Sequence, residues 1–457
     1  MPPRGCKMSD KTRLKTLSAI ALGVVVGIGT AAVLTSIHAG AAGALAPLPI
    51  HMTGFPTAAN TIDSLVSANN TAGIRTHGWA LWAGITYVAP QQTWPVWETW
   101  YTDSDVAAGP PSKNAALLAR TQPIHPFRRF RQFRHVREMK GLAEIIDPNE
   151  QVAGFNKFNE DYARFVWQNN YENPTVLGGL NQWPAGTTVP SRRIENFTYP
   201  AIGLKPVFML VNGPTHSSGI TVMPYWKGDL STGPANSTDP ANPTPGTWKQ
   251  CVVVKTGTAA PPAGTKCKDG TTPPVIAVNL FYNFVLSAAE AAAMKAAQGL
   301  NAQAGDFAVL VAMHMTTREN SNWTWQTFWW NFSQPFPYGP PPATVKAPFN
   351  NYAMCNAYSM TVKNDPSQPN ILCYNPYLET SPGIPDGVHS DCMSCHHVAG
   401  FGINANANYP ASYSPSSYID VDFNNDNTNY FNCQTTTDFS WFLAGLAKPP
   451  STAPGCN

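Results

Sequence analysis

The sequence predicts an α+β protein, a β-rich core with short helices and long loops that ends in a loop-rich C-terminal region. Three observations carry this. Residues 306–319 alternate with period two, residues 287–299 hold a full set of helix start and stop signals, and 43 prolines among Asn- and Thr-rich stretches mark many ordered loops. Apolar and aromatic content is too high for disorder.

The 457 residues carry a formal net charge of +2, and only 12% are charged. No bulk electrostatic attraction to nucleic acid follows. Residues 1–46 read as a signal peptide or an N-terminal anchor. Arg4, Lys7, Lys11, Arg13 and Lys15 precede an uncharged apolar run from Leu17 to Ile37. Ala39-Gly40-Ala41 and Ala44-Leu45-Ala46 then offer small-residue cleavage sites. The run is just long enough to span a bilayer. The expected location is periplasmic or secreted, with inner-membrane anchoring by residues 17–37 if the segment is retained.

Residues 47–345 are expected to form the large β-rich domain. Arg75 to Val88 reads as a short buried helix, with Trp79, Trp82 and Ala83 on one face. Trp94, Trp97 and Trp100 follow as packing residues whose indole N–H groups need acceptors. The segment 127–140 is the one charge run. Arg128, Arg129, Arg131, Arg134, Arg137 and Lys140 interleave with Phe127, Phe130 and Phe133. It is either a solvated face on inward phenylalanines or a docking patch, for an acidic redox partner or, if the chain is anchored, for anionic lipid. Helical spacing appears over 155–173, and 205–213, "CVVVKTG" and "PVIAVNLFYNFVL" read as strands. Ser287 with Glu290 forms a capping box, and Gly299 closes that helix. In 306–319, Phe307, Val309, Val311, Met313 and Met315 share one face. His314 lies on the other among small neighbours, which leaves room for something flat. The aromatic stretch 322–336 follows, with Arg318 and Glu319 just before it.

Residues 346–457 hold Cys392-Met393-Ser394-Cys395-His396, a C-x-x-C-H sequence. That pattern attaches c-type haem: two thiols at the right span add to the two vinyl groups, and the next histidine sits under the iron. Zinc would ask for a second Cys/His pair, and a redox dithiol for a βαβ context. Neither is visible. The expectation is one covalent haem c on Cys392 and Cys395, with His396 as proximal iron ligand. Cys6 lies in the basic N-terminal segment. Six cysteines remain, and sequential pairing 251–267, 355–373 and 433–456 closes three short loops. "TDFSWFLAGLA" at the end reads as a short apolar helix covering the motif.

The ordered blocks "HGWALW", "VWETW", "LVAMHMTTRENSNWTWQTFWW", "DCMSCHHVAGF" and "TDFSWFL" resemble a group of exported bacterial cytochrome-c-like proteins of no established reaction. The resemblance covers about half the chain in short blocks. It implies an exported haem protein in which His314 holds a recurrent position, and it implies no substrate.

The sixth iron position has several takers. His314 is preferred for its strand position. Its bland alternative is a hydrogen-bonded core histidine. Met354, Met360, Met315 and His77 follow, while His389 and His397 sit too close to the motif. Asp420, Asp422 and Asn424 imitate the start of a calcium loop, but Asn425 and Phe431 break the pattern.

The leading functional expectation is an exported monohaem electron carrier, a partner protein docking at 127–140. The alternatives are a peroxidase-like oxidoreductase with an open sixth position and a haem-stapled structural or sensor module. The sequence leaves open whether the chain is an enzyme.

Overall fold

The computed structural model describes residues 45–90, 92–129, 151–184, 187, 191–226, 248–331, 336, 339–360, 371, 373, 375–379, 391–397, 399–402 and 434–448. All lie in one unit, Gly43–Asn457. The N-terminal run 17–37, Cys433, Cys456, His389, Asp420 and residues 130–140 of the basic segment fall outside them. Among the described residues no helix is long and apolar enough to cross a membrane.

The architecture is α+β. Among the described residues fourteen strands run in order: β1 (Tyr101–Thr102), β2 (Arg128–Arg129), β3 (Ala153–Gly154), β4 (Lys157–Phe158), β5 (Ile202–Val211), β6 (Ile220–Pro224), β7 (Cys251–Lys255), β8 (Val275–Ala277), β9 (Asn283–Val285), β10 (Phe307–Thr317), β11 (Thr324–Trp330), β12 (Tyr352–Ala357), β13 (Gly400–Gly402) and β14 (Gln434–Thr436). Nine of them form one antiparallel sheet along β1-β4-β5-β10-β11-β12, with β2, β3 and β9 attached beside this path. β6-β7-β8 and β13-β14 form smaller sheets. The region from 346 onward thus supplies strand β12 to the sheet of the region before it.

Local chemistry places the helices. α1 (Ala59–Ser67) precedes α2 (Thr71–Ile85), which is capped where the Asn70 side chain accepts from the Gly73 N–H. It therefore starts four residues before Arg75 and ends at Ile85. α3 (Asp103–Ala108) and α4 (Ala115–Ala119) are short. α5 (Glu160–Gln168) is shorter than the expected 155–173, because the Asn159 side chain caps it and Lys157–Phe158 are drawn into the sheet. α6 (Pro174–Gly179) follows. α7 (Ala288–Gln298) carries the expected capping box, and Gly299 terminates it at φ 70°. α8 (Cys392–His397) holds the C-x-x-C-H motif, and α9 (Trp441–Leu446) is the expected terminal helix.

The stretch "PVIAVNLFYNFVL" is not one strand. A 3-10 turn at Val278–Leu280 separates β8 from β9. The Asn283 amide donates to the carbonyls of Val278 and Phe281 at 3.1 and 3.0 Å, which closes that turn instead of extending the ladder. Of the basic run, Phe127 is buried and Arg128 sits in extended β2, ion-paired with Asp103.

Register sorts the two faces of the central sheet. Lys205, His314, Thr327 and Cys355 lie in one cross-strand row, with Gly203, Thr316, Trp325 and Ala357 in the next row of the same face. Met315, Gln326, Phe328 and Met354 point the other way. A bulge between Leu310 and Ala312 interrupts β10 on its β5 side. α2 covers the second face: Trp82 stacks on Phe328 at 4.0 Å. Gly78 permits that approach, since a Cβ there would lie 2.9 Å from the Met354 sulfur. Trp82 and Trp100 donate to the carbonyls of Phe349 and Leu48, as buried indoles require.

Disulfides join Cys251 to Cys267 and Cys355 to Cys373, with Cα atoms 5.4 and 5.8 Å apart. Both pairs match the sequential expectation, and both suit an oxidising, extracytoplasmic compartment.

Candidate functional site

α8 lies over the first face of the sheet, against β11. Asp391 sets its start: its carboxyl accepts from the Ser394 N–H at 2.9 Å and from the Ser394 hydroxyl at 3.1 Å. Burial pushes Asp391 up to about 8 against those bonds. Cys392 and Cys395 are one helical turn apart, and neither is disulfide-bonded, unlike the other four described cysteines. Burial also pushes the Cys392 thiol well above its ordinary range. The two sulfurs straddle a seam: Cys392 belongs to the core cluster containing Trp325, while Cys395 packs against the larger cluster.

The His396 ring stands beside Trp325, with ring centroids 4.4 Å apart. Its Nδ1 lies 2.9 Å from the carbonyl of Phe439. A carbonyl can only accept, so Nδ1 carries the proton. Burial, opposed by that hydrogen bond and reinforced by the nearby His314 and Lys205, lowers the pKa to about 4. The ring is therefore neutral at physiological pH, with its lone pair on Nε2. That is the form in which imidazole binds a metal.

α9 and the turn before it complete this side. The Trp441 indole donates to the carbonyl of Cys395 at 3.1 Å. The terminal apolar helix thus covers the motif, as its composition leads one to expect.

The strand histidine is on the same side. His314 lies one row from Trp325 and close enough for its charge to act on His396. Its Nδ1 is 2.7 Å from the Thr327 hydroxyl, and its Nε2 is 3.5 Å from Glu379 Oε1. Asn375 ties this corner together. Its amide donates to the Thr327 hydroxyl and the Phe328 carbonyl at 2.8 and 2.9 Å, and its N–H bonds Glu379 Oε2 at 2.5 Å. Burial works to raise the Glu379 carboxyl, but the His314 imidazole, the Asn375 N–H and the Lys205 ammonium together hold it below its ordinary value. The surroundings of His314 are thus polar and charged, not only small residues.

Sheet geometry separates the remaining sixth-ligand candidates. Met315 and Met354 point to the face opposite α8. His77, on α2, is engaged there by Tyr358 at 2.6 Å, Thr57 at 3.0 Å and Glu319 at 3.3 Å. Met360 packs against the cluster that holds Cys392. His397 is buried, edge-on to Phe439 at 5.6 Å. Arg318 bonds Asp438, the residue before Phe439, while Glu319 belongs to the His77 network.

Comparison with known protein families, curated proteins and solved structures finds no match. What the site can do therefore follows from its own donors. Among the described residues no group of three or more His, Cys, Asp or Glu side chains is arranged to hold a metal ion directly. A porphyrin iron asks the protein for only one or two axial ligands. Two thiols outside any disulfide, one turn apart beside an imidazole with a fixed Nδ1–H, fit that requirement.

The C-x-x-C-H motif and His314 are legible in the sequence, but the helix over the motif, Lys205, Asn375, Glu379 and Phe439 are not. Lys205 lies in a strand the sequence does show but carries no site signal of its own, and Asn375 and Glu379 lie in a loop with no local pattern. Phe439 acts through its backbone carbonyl, which no residue type signals.

Proposed function

We propose that this chain is an exported monohaem c-type cytochrome that carries electrons. Cys392 and Cys395 would hold haem c through thioethers, each S–H adding across a vinyl C=C bond. Covalent haem would supply a one-electron Fe(III)/Fe(II) couple at the seam between the two core clusters. The observation that carries the reading is the state of His396. It stands immediately after the two cysteines, neutral, with Nδ1–H on the Phe439 carbonyl and Nε2 left as donor atom.

The role of the protein residues follows. Phe439 orients the proximal ring. Trp325 flanks it, and the apolar cluster around Cys392 would exclude water from a bound haem. His314 is the proposed second ligand, through Nε2, which would turn from Glu379 to the metal. The basic segment 127–140 is proposed to dock an acidic redox partner. The resemblance to exported cytochrome-c-like proteins agrees with this reading, as do the disulfides with a periplasmic or secreted location.

A second reading has its own support. Thr327 and Glu379 engage both nitrogens of His314. A histidine held in that way is also placed to act as an acid–base group over an open sixth position, as an oxidoreductase needs.

Two measurements decide. A pyridine haemochrome assay on protein matured with haem-attachment machinery should report one covalent haem; none would end both readings. Carbon monoxide should then leave the ferrous spectrum of the six-coordinate carrier unchanged. Prompt binding would replace the carrier with the open-site reading.

A further inference from the structure

The turn Thr437–Asp438–Phe439–Ser440 is closed by the Ser440 N–H on the Thr437 carbonyl at 3.0 Å. Its two central residues have φ of 46° and 68°. Positive φ at both centres is the pattern of a type I′ turn, which ordinarily takes Asn-Gly or Gly-Gly. Here it carries Asp-Phe. A bulky side chain in the left-handed region is strained and persists only where the surroundings over-determine it.

Those surroundings converge on one guanidinium. Arg318 is 3% exposed and follows directly on β10. Its Nε donates to Asp438 Oδ2 at 3.1 Å, and Nη1 bonds the carbonyl of Asn320. Its guanidinium lies over the Tyr199 and Trp323 rings, at 5.3 and 5.9 Å. Asp438 Oδ2 also accepts from the Phe197 N–H at 2.8 Å. The carbonyl that leaves this turn is the one on His396 Nδ1.

We propose that Arg318 is a positioning residue for His396. Through Asp438 it holds the turn in its left-handed form, and the turn aims the Phe439 carbonyl at the proximal ring. The strained residues then have a purpose at the site: a relaxed turn would move that carbonyl away from Nδ1. The effect on the iron rests on the haem reading above, while the effect on the ring does not. A more firmly held Nδ1–H makes Nε2 a stronger donor, which stabilises the oxidised iron.

The test uses full-length protein with Arg318→Lys, which keeps the charge but loses the planar fork. Ring-nitrogen NMR of His396 without haem should show the Nδ1–H tautomer in the parent and a mixture with Nε2–H in the variant. In holoprotein the same change should raise the midpoint potential. If Arg318→Lys does not fold, Asp438→Asn carries the NMR readout, since Asn tolerates the left-handed region. An altered tautomer in a protein that takes no covalent haem would uphold the positioning role and sink the cytochrome. An unchanged tautomer, with or without haem, would overturn the role of Arg318.

Discussion

Glu379 reaches across the sheet face to His314, Oε1 to Nε2 at 3.5 Å, from a loop that the sheet itself tethers through Cys355–Cys373. This one contact separates the two functional readings, because it occupies the atom that a second iron ligand would use. In the carrier, His314→Ala should convert a low-spin ferric spectrum to high spin and admit carbon monoxide. Glu379→Gln should leave the spin state low. If His314→Ala leaves the holoprotein spectrum unaltered, His314 is not the sixth ligand, and Met360 becomes the residue to substitute.

The thiols should act separately. Cys392→Ala or Cys395→Ala would leave one thioether and one vinyl group, visible as a red-shifted haemochrome band. The double variant should retain no haem after acid–acetone extraction. Retention by the double variant would remove Cys392 and Cys395 from the site.

The disulfides divide stability from function. Each closes a short loop, with separations of 16 and 18 residues, for about 3 kcal/mol in the chain-entropy account. Cys251→Ser with Cys267→Ser should lower the thermal midpoint and leave the visible spectrum alone. Cys355→Ser with Cys373→Ser should lower it and also perturb the spectrum, because Cys373 anchors the loop bearing Asn375 and Glu379. Identical spectra for both pairs would show that the tether is not needed to place Glu379.

α7 is held by a histidine between two carboxylates. His125 Nδ1 lies 2.5 Å from Glu290, and Nε2 lies 3.2 Å from buried Glu98. Burial acts to raise Glu290, yet the bonds from His125 and Ser287 bring it down from 4.5 to about 2. A carboxyl lowered on folding stabilises above its unfolded pKa, and that contribution fades as pH falls from 4.5 towards 2. Burial acts to lower His125, but Glu98 and Glu290 raise it above 6.5, so its contribution is complete below 6.5 and fades as pH rises through the folded value. Glu290→Gln should therefore destabilise the fold most between pH 4.5 and 6.5, by about 1–2 kcal/mol, read as a lowered thermal midpoint. The gap from the parent should close near pH 2. A gap independent of pH would place the effect outside the ionised Glu290–His125 pair.

Packing of α2 on the sheet gives a prediction independent of any cofactor. Gly78→Ala puts a methyl 2.9 Å from Met354 Sδ and should destabilise by about 1–3 kcal/mol. A neutral outcome would mean that the thioether turns aside.

Elements with local chemistry are readable in the sequence. α7 announces itself through Ser287, Glu290 and Gly299. β10 does so through alternation, although its bulge could not be foreseen. β11 is buried on both faces along its whole length, so Thr324–Trp330 shows no period-two contrast and looks only aromatic. β12 hides in a stretch that otherwise reads as loop. The site divides in the same way. Cys392, Cys395 and His396 are contiguous and carry their chemistry in their spacing. Glu379 and Phe439 meet them only after the sheet has formed, and the Phe439 contact spans 43 residues.

That span also orders events in time. The carbonyl that orients His396 and the indole that caps Cys395 both arrive from chain made after the motif. Phe439 and Leu443 share a core cluster with Cys392, which is 7% exposed in the folded chain. On the reading proposed above, a thioether at that sulfur would form before residues 434–448 pack against it. Maleimide should accordingly label Cys392 readily in the unfolded chain and slowly in the folded one.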